Sequence, residues 1–259
     1  MSMFDLDGQV ALITGSSRGI GRAIAESFAE HQAKVVISSR KQEACDAVAA
    51  AINARHGAHR AIALAANISS KEALQGLVDQ THTAFGRIDI VVCNAASNPY
   101  FGPMSGISDE QFRKVLENNV LANHWLIQMV APEMKARRRG AIIVVSSLGG
   151  FFGSVDIGAY NISKAADLQL VRNLALELGP NNIRINALAP GVIRTDFAKA
   201  IYEDPQAERA LRRATPLGRI GEPQDIAGAA VFLASSASGH ITGQSIVIDG
   251  GMNIDGRFF

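Results

Sequence analysis

Seven short runs, each apolar at nearly every residue, alternate with stretches of helical length, and nothing else in the chain constrains its fold as strongly. The runs are Val10–Thr14, Lys34–Ser38, Arg60–Ala65, Ile88–Cys93, Ala141–Ser146, Ile183–Leu188 and Ser245–Ile248. A strand that is apolar on both faces needs cover on both faces. The stretches near Gly19–His31, Gln42–Arg55, Lys71–Phe85, Ser108–Lys135, Ala159–Leu178 and Pro223–Ala234 have helical length and supply that cover. This alternation predicts an α/β chain: a doubly wound, seven-stranded parallel sheet flanked by helices and joined by right-handed crossovers. No repeat, low-complexity tract or linker divides residues 1–259, so one domain is expected. The least regular stretch is about 190–216, with a charged centre at Glu203–Arg213. It reads either as a substrate-covering segment or as a surface loop with a solvated helix.

Composition narrows the function classes. A net charge of +1 gives no broad field to attract nucleic acid or an anionic membrane. Cys45 and Cys93 cannot build a disulfide framework and fit a reducing compartment as small buried residues. The start, Met-Ser-Met-Phe-Asp-Leu-Asp-Gly, lacks the basic and apolar regions of a signal peptide, and no apolar run is long enough to span a bilayer. A cytoplasmic protein is expected. The six histidines show no paired ligand spacing, so no metal site is expected.

The first apolar run leads into Thr14-Gly15-Ser16-Ser17-Arg18-Gly19-Ile20-Gly21 and then a helical stretch. Glycines at such a turn let backbone approach a pyrophosphate, whose charge the helix N-terminus attracts. Strand, loop and helix together point to dinucleotide binding. Cofactor choice is read at the end of the second run. Ser39 stands where an acid would hold the ribose of NAD, and Arg40 follows it. With Arg18 able to approach from the glycine loop, NADP(H) is expected over NAD(H).

Tyr160 and Lys164 lie four residues apart in Ala-Tyr-Asn-Ile-Ser-Lys. On a helix this puts a phenol and an ammonium on one face, about 5–6 Å apart at Cβ. The cation favours the phenolate, making Tyr160 a candidate proton donor and acceptor. Alone, the pair more often describes an aromatic ring covered by a lysine stem.

Taken in order, the glycine loop, Asn94-Ala95-Ala96, Ser147, Tyr160, Lys164, Pro190-Gly191-Val192-Ile193-Arg194-Thr195 and Gly243–Gly251 resemble the short-chain dehydrogenase/reductase family over nearly the whole chain. Ser39-Arg40-Lys41, Asn94–Pro99 and Phe101-Gly102 look most like its NADP(H)-dependent carbonyl and retinal reductases. The resemblance implies a Rossmann-type fold and interconversion of a carbonyl and an alcohol by hydride transfer. Tyr160 would exchange the proton, and Lys164 would hold the nicotinamide ribose and stabilise phenolate character. Ser147, thirteen residues before Tyr160, would hydrogen-bond the substrate oxygen, with Ser146 as the alternative. Asn119, identified by the following Val120 in preference to Asn118, would support a water relay toward the lysine. Gly15, Ser17, Arg18, Gly19, Ile20 and Gly21 would cradle the cofactor phosphates. Asn67 and Ile68 would meet the adenine, Asn94 and Ala95 the adenosine ribose. Pro190, Gly191, Ile193 and Thr195 would meet the nicotinamide. Two positions depart from the family: Ala96 replaces the glycine of Asn-Ala-Gly, and Asn67 replaces an aspartate.

Tyr100, Phe101, Phe151, Phe152, Val155 and Ile157 are expected to wall a pocket for an apolar or aromatic carbonyl compound. An alternative is a 3-oxoacyl thioester on CoA or an acyl-carrier protein, the latter received by the basic run Lys135–Arg139 near the entrance. More often such a run is a charged helix C-terminus favoured by the dipole. The non-enzyme alternative is a dinucleotide-sensing or scaffold protein, which would typically lack the tyrosine or lysine present here. The family usually forms homotetramers through two long helices, here Ser108–Lys135 and Ala159–Leu178, and the C-terminal strands, which implies a homotetramer here, with a dimer as the alternative. Phe258 and Phe259 at the chain end would bury against a neighbour.

Overall fold

A computed structural model describes residues 2–254; Phe258 and Phe259 lie outside that range. Seven parallel strands form one sheet: β1 (Val10–Thr14), β2 (Lys34–Ser38), β3 (Ala61–Ala63), β4 (Ile90–Cys93), β5 (Gly140–Val145), β6 (Ile183–Pro190) and β7 (Ser245–Ile248). Their order is β3-β2-β1-β4-β5-β6-β7, a Rossmann-type topology. Winding reverses between β1 and β4, and this switch point is where an open α/β sheet leaves a crevice for ligands.

Strand side chains alternate between two cores. Ala11, Ile13, Val35, Ile37, Ile90, Val92, Ala141 and Ile143 face one core with α1 (Gly19–Glu30), α2 (Gln42–His56) and α9 (Pro223–Ala234). Leu12, Val36, Val91, Cys93, Ile142 and Val144 face the other, with α3 (Lys71–Phe85), α5 (Ala122–Arg137) and α6 (Gly158–Leu178). This two-sided burial is why the runs carry no polar alternation.

Boundaries moved where pairing or local chemistry overrode pattern. The run expected at Arg60–Ala65 keeps only Ala61–Ala63, because β3 is an edge strand paired with β2 alone. β6 runs two residues past Leu188, with Pro190 still in register with Ile248. The helix expected over Ser108–Lys135 is interrupted. Ser108 caps α4 (Asp109–Leu116) through a capping box with Gln111, and one π turn, Glu117–Leu121, separates α4 from α5. There the Ala122 N–H donates to the Glu117 carbonyl, a step of five residues, a widening often found at functional sites.

The irregular stretch contains two helices, α7 (Lys199–Tyr202) and α8 (Pro205–Ala214). Asp204 caps α8 by accepting from Ala207 N, with Pro205 in the first turn.

Candidate active site

The glycine loop is held from below by hydrogen bonds. Thr14 Oγ1 accepts from the amides of Asn94 and Ala95, while Asn94 Nδ2 donates to the carbonyls of Thr14 and Gly15. Ser16 is buried; its hydroxyl donates to Ile13 O and accepts from Ser38 N, tying the loop to the end of β2. These bonds leave the α1 N-terminus open. Its N-cap, Arg18, makes no side-chain capping bond, and no acid occupies the first turn. Uncapped N–H groups at the positive end of a helix suit an anion such as a pyrophosphate.

The other cofactor candidates gather around this crevice. Ser39 and Arg40 follow β2, Asn67 and Ile68 follow β3, and Asn94 and Ala95 follow β4. Arg40 and Asn67 are exposed, whereas Ser39 is half-buried with its hydroxyl 3.1 Å from Cys45 Sγ. Arg18 reaches across the crevice to Asp196 at 3.1 Å, with both side chains 70% exposed. An ion pair that open is weakly held and free to exchange. The Asn94 side-chain amide also braces the loop from beneath. Pro190 and Gly191 close β6, and Thr195 packs so near Gly19 that a β-carbon there would lie 3.2 Å from its Cγ2. The glycine loop and the Pro190–Thr195 segment therefore form two sides of one crevice.

Lys164 is fastened to the C-terminal end of β5, where Ser147 follows the strand, and Tyr160 lies one turn before the lysine on α6. Ser147 is half-buried, and its Oγ accepts from Gly149 N at 3.1 Å. Ser146 is excluded from a role at the surface, because its hydroxyl is buried and donates to Lys164 O at 2.8 Å. Tyr160 lies in the first turn of α6, its ring 5.8 Å from that of Phe197 between centroids. Lys164 Nζ stands 5.7 Å from the Tyr160 ring centroid. It donates to Val145 O at 2.9 Å and to Asp167 Oδ2 at 3.0 Å. Burial works against the lysine's charge, but Asp167 and then Tyr160 outweigh it and hold the ammonium above its usual pKa.

Asn119, in the π turn, is fully buried. Its amide donates to Ser97 O and Ser163 Oγ, and its Oδ1 accepts from Ser97 N. Its main-chain carbonyl accepts from Asn123 Nδ2 at 2.6 Å, and the same nitrogen donates to Asp167 Oδ1 at 3.0 Å. Side chains thus connect Asn119 to Lys164. Asn118 points elsewhere, bonding Ser97 Oγ and Ser69 Oγ.

Phe197 packs on the Tyr160 ring, and the expected wall residues Phe101, Phe151, Phe152 and Val155 are, like it, exposed large hydrophobics. Tyr100 and Ile157 are half-buried, and Tyr100 turns its hydroxyl into its own loop, onto Pro103 O. Phe197 escaped sequence reasoning because nothing in Thr-Asp-Phe-Ala signals its return to Tyr160. A cavity of about 170 Å³ lies beneath α8, lined by Ile193, Leu211, Leu217, Ile248 and Met252. It is lined by none of Ser147, Tyr160 and Lys164.

One expectation fails. The basic run Lys135–Arg139 does not flank the entrance. It precedes β5, whereas Ser147 follows that strand, so a strand length of roughly 20 Å separates them. Three of its charges are also engaged within the chain. Lys135 pairs with Glu177, Arg137 with Glu133 and Asp89, and Arg138 with Pro180 O.

Among the described residues no helix is long and apolar enough to cross a membrane, and no group of His, Cys, Asp or Glu is placed to hold a metal. Comparison with known proteins agrees with the geometry. A family model described as enoyl-(acyl carrier protein) reductase matches residues 15–253. Dehydrogenase/reductase SDR family member 4 of Bos taurus is 39% identical over 246 residues, covering 95% of this chain and 88% of that protein. A structure of 7α-hydroxysteroid dehydrogenase with NADH and 7-oxo glycochenodeoxycholic acid is 38% identical, with a TM-score of 0.91 over 96% of this chain and 95% of that one. A gluconate 5-dehydrogenase from Burkholderia cenocepacia J2315, solved with NADP and tartrate, is 31% identical, with a TM-score of 0.92 over 97% and 98% of the two chains.

Proposed function

The chain belongs to the short-chain dehydrogenase/reductase family and is an oxidoreductase of carbonyl and alcohol substrates; from that premise we propose an NADP(H)-dependent reductase of apolar or aromatic carbonyl compounds. What supports this reading is Lys164 fastened at the end of β5, where Ser147 follows, with the Tyr160 ring 5.7 Å from its Nζ and Phe197 packed on that ring, together with an uncapped α1 N-terminus.

NADP(H), when bound, supplies or accepts the hydride; the proton is the protein's task. In reduction the Tyr160 hydroxyl donates its proton to the substrate oxygen. The Lys164 ammonium favours the phenolate left behind and holds the nicotinamide ribose. Ser147 donates a hydrogen bond to the same oxygen as negative charge develops. Asn119 supports a water relay toward Lys164 and, through its bond to Ser163, ties the π turn to α6. Gly15, Ser17, Gly19, Ile20 and Gly21 admit the pyrophosphate to the α1 N-terminus. Arg18 and Arg40, with no acid at Ser39 to repel it, receive the 2′-phosphate. Asn67 and Ile68 flank the adenine, Asn94 and Ala95 floor the ribose, and Pro190, Gly191, Ile193 and Thr195 face the nicotinamide. The segment 190–216 covers the substrate.

NADPH and NADH oxidation compared over aromatic ketones, aldehydes, quinones and 3-oxoacyl thioesters tests this reading. NADPH should be preferred by about tenfold or more, the scale of one charge-assisted hydrogen bond. Equal use of NADH removes the role given to Arg18 and Arg40. A 3-oxoacyl thioester as best substrate replaces the apolar-carbonyl reading. Tight binding without turnover of any compound points to a dinucleotide sensor.

The same reading includes a cytoplasmic homotetramer. Ile162 and Leu176 are exposed on α6, and Leu121 is exposed in the π turn beside it, a surface a partner helix pair would cover. Cys45 and Cys93 are buried and unpaired, which suits a reducing compartment. Light scattering should give a tetrameric mass; a monomer sinks the assembly.

A further inference from the structure

Lys164 has an acid behind it that the reaction above does not use. Asp167 lies one turn further along α6, and the two side chains are almost wholly buried, at 2% and 0% exposure. Lysine and aspartate are rarely this buried unless paired. Here Lys164 Nζ donates to Oδ2 at 3.0 Å, and Asn123 Nδ2 donates to Oδ1 at 3.0 Å. The Asn123 amide is oriented independently, because the same nitrogen donates to the Asn119 carbonyl, which can only accept. Both oxygens of Asp167 therefore face N–H donors, the arrangement of an ionised carboxylate.

The charged and titratable groups facing Lys164 are few. On α6 they are Tyr160 and Asp167; from β4 comes Cys93; from β5 comes only the Val145 carbonyl. Burial, then the nearby Asp167, push the Cys93 thiol far above its ordinary range, so it stays neutral. Burial pushes the Asp167 carboxyl up, while the Lys164 charge and the hydrogen bonds from Lys164 and Asn123 oppose that push; with an N–H donor on each oxygen, Asp167 is, among the described residues, the acid placed to balance the Lys164 charge while Tyr160 is protonated. A lysine in such a place, without an anion, tends to lose its proton.

We infer that Asp167 is a positioning residue: it is the counter-ion that keeps buried Lys164 charged and, with Val145 O, fixes where the ammonium points. The inference rests on the proposed role of Lys164 for its catalytic meaning, though the ion pair itself does not. Asn123 extends the device, linking Asp167 to the carbonyl of Asn119 in the π turn. In a substrate cycle Asp167 touches neither substrate nor cofactor; it acts through Lys164.

The test titrates Lys164 in the protein without dinucleotide, by NMR of ¹³C-labelled lysine side chains, with Lys164→Met assigning the signal. In the wild type the Lys164 resonance should show no deprotonation up to pH about 10. In Asp167→Asn, which keeps the shape and removes the charge, its midpoint should fall by at least about one pH unit, since buried lysines can fall by several. The sign follows from the lost partner: the charge survives at low pH and disappears as pH rises through the new midpoint. Asp167→Leu gives the same readout if the asparagine variant folds poorly. A midpoint that stays with the wild type's overturns the inference. NADPH affinity gives a second readout. It should fall about tenfold across the new midpoint in the variant and stay flat in the wild type, a loss of about 1.4 kcal/mol. A uniform loss at every pH, which damaged packing alone would give, overturns the positioning role. Because the lysine titration needs no dinucleotide, a failure of the proposed reaction would leave its result standing.

Discussion

Tyr160→Phe is expected to lower turnover by about 10²–10⁴-fold, the range carried by a placed general acid or base, while dinucleotide affinity stays close to the wild type's. The ring does the packing and the hydroxyl does the chemistry. Phenylalanine keeps the contact with Phe197, whose centroid lies 5.8 Å away, and keeps α6 intact around it. No neighbour can take over the proton. The Ser146 hydroxyl is buried and donates to Lys164 O. The Asn119 amide is consumed by Ser97 and Ser163. Ser147 is nearest in kind, but an alcohol without a base beside it is a poor acid near neutral pH. Lys164→Met should differ, weakening both turnover and cofactor affinity, because the lysine is given two roles. Steady-state rates with NADPH, set beside a fluorescence titration of NADPH binding, separate the two variants. Turnover within a few-fold of wild type in Tyr160→Phe would remove Tyr160 as the acid and base.

How much of this was legible in the sequence depended on whether the signal was local. The strands were legible because burial on both faces leaves continuous apolar runs, and the glycine loop because its turn demands glycine in sequence. The π turn was not. Glu117-Asn118-Asn119-Val120-Leu121 reads as ordinary helix, and the extra residue shows only in the backbone step from Ala122 to Glu117. Asp167 was missed for a related reason: a polar residue near the middle of a helix is normally solvated, and only the packing of Asn123 and Lys164 over it shows otherwise. The misplaced basic run is more instructive. Lys135–Arg139 immediately precedes a strand of a parallel sheet, so it must lie at the sheet's N-terminal edge, away from the ligand crevice. Topology already contained that answer; the count of positive charges did not.

Gly21→Ala should be the most damaging single methyl group in the cofactor loop. A β-carbon on Gly21 would sit 2.5 Å from the Gly15 carbonyl oxygen and 2.5 Å from Asn94 Nδ2. Neither neighbour can yield cheaply. The Gly15 oxygen is backbone, and Asn94 Nδ2 is fixed by its bonds to Thr14 O at 2.9 Å and Gly15 O at 3.0 Å. The methyl group must push α1 away from the loop or break the Asn94 brace. Overpacking of this kind costs about 1–3 kcal/mol, and each kcal/mol lowers Tm by about 2–4 °C in a chain of this size. The loss should fall doubly on dinucleotide affinity, because the displaced element is the α1 N-terminus proposed to receive the pyrophosphate. Gly228→Ala is the matched control. Gly228 is exposed within α9 and has nothing within 4 Å of a β-carbon, so the change should stabilise by up to about 1 kcal/mol through helix propensity. Thermal melting and NADPH titration of the two variants should therefore move in opposite directions for stability, and only Gly21→Ala should lose affinity. If both variants melted and bound alike, the Asn94–Gly15 brace would not be what shapes the cofactor crevice.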